Sequence, residues 1–75
     1  MNDKLFRTIL KRYEAAIEDA AYKIDIICEQ TLVIPEHIDI TSEIDKSLQI
    51  IAENEDKVAA MRKYYGEKKA DKAVL

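Results

Sequence analysis

The sequence predicts an all-α fold, an antiparallel two-helix hairpin that completes a four-helix bundle or larger helical assembly by oligomerisation. Three observations predict it. Apolar residues recur in two long stretches at alternating steps of four and three, the spacing that keeps one stripe of a helix against a neighbour. Glycine and proline each occur once in 75 residues, too few breakers for the many turns of a sandwich or barrel. The chain is also short for a self-sufficient core, at a size where a single core supplies only a few kcal/mol and disulfides, metals or oligomerisation commonly help.

The first helix is expected over about 3–32. Its stripe is Phe6, Leu10, Tyr13, Ile17, Ala20, Ile24 and Ile27, with Thr31 closing the series. Asn2 or Asp3 can cap its N-terminus. Asp3 and Arg7, and Asp19 and Lys23, stand at i,i+4 with the acid leading, each pair adding a few tenths of a kcal/mol. Leu5, Ile9, Ala16, Ala21 and Cys28 flank the stripe on both sides. One partner helix cannot cover so broad a face, whereas a bundle of three or four can. Ala15, Ala16, Ala20 and Ala21 also permit a close backbone approach midway along it.

A connection is expected over 33–41. Pro35 lacks an amide hydrogen and biases Ile34 away from helical geometry. The segment is apolar for a loop, so Val33, Ile34, Ile38 and Ile40 are expected to fold back over the end of the core. Two short extended pieces around Pro35 are the alternative. The second helix is expected over about 42–66, capped by Thr41 or Ser42, with Glu43 and Asp45 in its first turn. Ile44, Ile51, Val58 and Tyr65 repeat every seven residues, and Leu48 and Met61 are expected to fill intermediate steps. Asn54 or Glu55 falls where an apolar residue belongs. Asn54 either fixes the register as a polar seam residue or faces water, and the sequence leaves both open. Gly66 is expected just past the helix end, with Arg62 and Lys63 favouring the C-terminal dipole. Residues 67–75 form a charged tail.

Charge is the most informative functional signal. Residues 1–12 carry Lys4, Arg7, Lys11 and Arg12 against Asp3, a net of +3. Residues 13–61 hold twelve acids and three lysines, and residues 62–75 hold Arg62, Lys63, Lys68, Lys69 and Lys72 against Glu67 and Asp71. An antiparallel hairpin brings both chain ends to one basic pole and leaves an acidic body. Such a rod suits head-to-tail pairing of opposite charges. The same pole places Tyr64 and Tyr65 among cations, an arrangement able to stack a base while holding phosphate. A net charge of −3 and a pI near 5.1 lack the broad basic footprint of a duplex binder.

Catalysis finds little support. His37, the only histidine, lies between Glu36 and Asp39 with no nucleophile at a useful spacing. The residue three before it is Ile34, so the Glu-x-x-His pair of di-iron bundles is absent. One imidazole and scattered carboxylates make no zinc site. Cys28, the lone cysteine, permits no internal disulfide and reads as a small apolar residue beside the seam. One glycine cannot build a phosphate-cradling loop. No apolar run reaches the roughly 20 residues of a membrane span, and the N-terminal residues lack the apolar run of a leader peptide.

The expectation is therefore a cytoplasmic, non-enzymatic helical interaction protein without cofactor or metal. It self-associates, as a dimer in the first instance, and docks on a protein partner as inhibitor, adaptor or scaffold. In scale and pattern it resembles small helical assembly factors, inhibitors and antitoxin-like binders of bacteria and their phages, with no motif that carries residues across. Its expected self-association face is Phe6, Leu10, Tyr13, Ile17, Ile24, Ile27, Ile44, Leu48, Ile51 and Val58. The expected anion or partner contact is Lys4, Arg7, Lys11, Arg62, Lys63, Tyr64, Tyr65, Lys68 and Lys69. The alternative function is sequestration of a nucleotide or short single-stranded nucleic acid at that pole.

Overall fold

A computed structural model describes residues 1–29 and 39–66. It contains a helix α1, Asp3–Glu29, and a helix α2, Ile40–Met61, which runs on into a π-helical turn, Arg62–Gly66. The two helices pack against each other. With its π turn α2 matches the 27 residues of α1, as the matched apolar stretches require. The apolar plug expected of segment 33–38 and the tail over 67–75 lie outside the described residues.

Local chemistry fixes the helix starts. At α1, Asn2 Oδ1 accepts from the Leu5 amide at 2.8 Å, satisfying one of the donors that a helix N-terminus leaves unpaired. At α2 the cap is Asp39, not Thr41 or Ser42, and the helix starts two residues earlier than expected. Asp39 has extended backbone, φ −86° and ψ 97°, and its carboxylate accepts from the Ser42 amide at 3.0 Å and the Thr41 hydroxyl at 2.9 Å. A carboxylate caps by reaching forward to the third residue, so Thr41 serves as a supporting donor and Ile40 joins the helix. These bonds favour the ionised form and hold the Asp39 carboxyl below its ordinary value, the Ser42 amide contributing most.

The pairing is antiparallel. The Phe6 ring lies at Gly66, Glu14 Oε2 faces Arg62 Nη2 at 3.9 Å, Lys57 Nζ stands 5.5 Å from the centre of the Tyr13 ring, and Ala20 and Ser47 line one groove. All seven stripe residues of α1 are buried or half-buried. The α2 stripe is Ile40, Ile44, Ser47, Ile51, Asn54, Val58 and Met61, again in alternating steps of four and three. Ala20, Ser47 and Met61 are the buried residues among those described, at 4, 2 and 8% exposure.

Three expectations for α2 are corrected. Leu48 does not fill the seam; it is 51% exposed, and Ser47 takes the slot. The reason is periodic: Met61 lies three residues after Val58, so the consistent slots are 47, 54 and 61, whereas Leu48 lies three before Ile51. Asn54 does occupy a seam slot, half-buried, but its Nδ2 donates to the Ile50 carbonyl of its own helix at 2.8 Å. Gly66 has no positive φ and is not a left-handed cap. A π turn inserts one residue, so Gly66 replaces Tyr65 as the next seam residue, and Tyr65 is 51% exposed. A Cβ at Gly66 would stand 2.9 Å from Phe6 Cζ, so the lack of a side chain admits the ring.

Candidate functional site: two flanks and a basic pole

A hairpin of two helices has two flanks where a further helix could lie, and these differ. One carries Arg7, Glu14, Ala21 and Cys28 from α1 and Thr41, Leu48, Glu55 and Arg62 from α2. It is closed in part by the Glu14–Arg62 pair, in which both side chains are about half exposed, so the pair adds little stability. The opposite flank carries Leu5, Ile9, Ala16 and Ile26 from α1 and Ile50, Ala60 and Tyr64 from α2, with Arg12, Asp19, Lys23, Glu53 and Lys57 set among them. Leu5, Ile50 and Tyr64 are 48, 42 and 55% exposed. Midway along it the small side chains of Ala16, Ala20 and Ser47 leave a groove of about 330 Å³ whose rim includes Ile26, Ile50 and Lys23.

Most of the residues expected to mediate self-association line the seam between α1 and α2. Phe6, Leu10, Tyr13, Ile17, Ile24, Ile27, Ile44, Ile51 and Val58 occupy the intramolecular seam, all half-buried, and Leu48 stands on the first flank. None of these nine is fully buried, because two helices cover only part of such a stripe. The apolar side chains left on the second flank include Ile26 and Ile50, which heptad reading passed over. Their signal was present: each stands one residue before a seam position, the address of a flank.

The chain ends form the basic pole that the antiparallel reading predicts. Lys4, Arg7, Lys11, Arg62, Lys63, Tyr64 and Tyr65 are all exposed there. Lys63 Nζ sits 5.3 Å from the centre of the Tyr64 ring, a cation–π contact within one turn. Lys68 and Lys69 lie outside the described residues, as does His37. Over the described residues the pole, 1–12 with 62–66, carries a net +5, and the far half, 18–29 with 39–50, a net −5.

Among the described residues no helix is long and apolar enough to cross a membrane, and no three metal-ligating side chains cluster. No protein-family model, curated protein or solved structure matches the chain.

Proposed function

We propose that this chain is a small non-enzymatic interaction protein whose hairpin is completed by a further helical surface, its own copy first, and which then docks on a macromolecular partner. The observation that carries the reading is the second flank, where Leu5, Ile50 and Tyr64 stand exposed beside a seam whose larger apolar residues are mostly half-buried. Exposed apolar side chains set among charges of both signs suit an interaction surface. Sedimentation at high micromolar concentration tests it. A mass of two or more chains is expected; a helical monomer would defeat the reading of self-association.

A second reading rests on the pole. The antiparallel pairing gathers six cations with Tyr64 and Tyr65, which supports recognition of an anionic partner, a nucleotide or short single strand being the small-ligand case. Thermal shift against a nucleotide panel tests it. Stabilisation that disappears in Lys63→Ala and Tyr65→Ala supports it, and no stabilisation by any nucleotide removes that small-ligand case.

A further inference from the structure

We infer that the second flank is a self-complementary dimer interface, on which a second copy lies antiparallel, α1 on α1, to give a four-helix bundle. The inference rests on the self-association proposed above and adds face and orientation.

The outer stripe of α1 on this flank reads Leu5, Arg12, Asp19, Ile26, one residue every two turns. A two-fold interface must place each patch against its own copy. When the copies overlap fully, an axis in the interface plane and across the rods reverses α1 on itself about its midpoint, near residue 16. Leu5 then meets the second copy's Ile26, and Arg12 meets its Asp19. The same operation repeats both contacts, so apolar ends face apolar ends and each cation faces a carboxylate. The inner stripe obeys the same reversal, with Ala16 on the axis, where a small residue lets backbones approach, and Ile9 against the aliphatic stem of Lys23.

Pole charges select the same orientation. Reversal lays the net +5 pole of one copy over the net −5 half of the other, whereas two parallel rods would set +5 against +5. On α2 the two Glu53 carboxylates fall near the axis. Each accepts from its own Gln49 Nε2 at 3.1 Å and has Lys57 one turn away. The first flank offers no such pattern: the two registers nearest that midpoint set Arg7 against Cys28 with Glu14 against Ala21, or Arg7 against Ala21 with Glu14 against its own copy.

The test uses the full chain in a Cys28→Ser background, after sedimentation has established the mass. A mixture of Leu5→Cys and Ile26→Cys variants is expected to oxidise to a mixed dimer, with self-linked product lost. Arg12→Asp is expected to weaken the dimer roughly tenfold by setting two acids together at both contacts, and Arg12→Asp with Asp19→Arg to restore it. Ile50→Lys, which sets a lysine against the second copy's Lys57, is expected to abolish the dimer and Leu48→Lys to leave it, circular dichroism showing that both hairpins stay helical. A dimer in which Leu5→Cys links instead to Tyr64→Cys is parallel and overturns the orientation. A dimer broken by Leu48→Lys but not Ile50→Lys overturns the face. Either result leaves self-association standing, whereas a helical monomer removes both and gives the flank to a different occupant.

Discussion

Along the seam α1 presents apolar side chains in all seven slots from Phe6 to Ile27, whereas α2 gives two of its seven to Ser47 and Asn54. The two polar slots differ as well. Ser47 is 2% exposed and lines the same groove as the buried Ala20, so two small side chains meet where the seam is best covered. Asn54 is half-buried, and its amide is satisfied by the Ile50 carbonyl. A polar residue in a helical seam therefore has two physical meanings here. At 47 it goes with burial beside another small residue; at 54 it reflects partial access to water and a local hydrogen bond.

The comparison can be broken most severely on the apolar side. Ile24→Asp places an unpaired carboxylate against Ile44 and Ser47, the α2 residues at its level, and is expected to cost about 3 kcal/mol. In a hairpin this small that loss removes most of the helical signal in circular dichroism. A variant with unchanged helical content and melting temperature would refute the seam assigned to α1.

The two polar slots should then respond with opposite signs to one substitution. Ser47→Leu forces a branched side chain into the space beside Ala20 and is expected to destabilise by about 1–3 kcal/mol. Asn54→Leu replaces a locally satisfied amide with apolar surface in a half-open slot and is expected to stabilise by up to about 1 kcal/mol. Chemical denaturation of both variants reads the difference directly. Equal destabilisation at the two sites would mean that Asn54 is as confined as Ser47.

Much of this was legible in the sequence, and the parts that were not share a cause. The stripe of α1, the antiparallel pairing and the basic pole follow from apolar spacing and charge position, which need no knowledge of side-chain size. What hydrophobicity misjudged was room. Leu48 looked the better core residue than its neighbour Ser47, yet the slot facing Ala20 takes the smaller one. Gly66 looked like a helix stop, yet the structure uses it to admit Phe6. For the candidate interface, apolarity drew attention to the seam, and the flank became visible only once the seam had been assigned to the hairpin itself.

The Phe6–Gly66 contact gives a smaller and more finely balanced effect. Gly66→Ala removes a glycine from a helical turn, worth roughly 0.8 kcal/mol in favour of the variant, but the new methyl meets the tip of the Phe6 ring. The two terms nearly cancel, so a net change within about 0.5 kcal/mol is expected. A double-mutant cycle separates them, since in a Phe6→Leu background the clash is relieved and Gly66→Ala should stabilise by most of the propensity term. If Gly66→Ala stabilises equally in both backgrounds, the ring does not depend on the missing side chain.

The smallest effect is expected at the start of α2 and is best read through pH. The Ser42 amide and Thr41 hydroxyl hold the Asp39 carboxyl below its ordinary value of 3.8. A carboxyl whose value falls on folding contributes stability that is fully present above its unfolded value and lost as pH falls through the folded one. Asp39→Ala should therefore melt below the unsubstituted chain at pH 6, with the gap closing once pH drops under 3.8. Asp39→Asn, which keeps an acceptor for the Ser42 amide without a charge, should melt close to the unsubstituted chain across that range. A gap that persists unchanged in acid would mean that the neutral carboxyl caps as well as the carboxylate, and the early start of α2 would then owe nothing to the charge of Asp39.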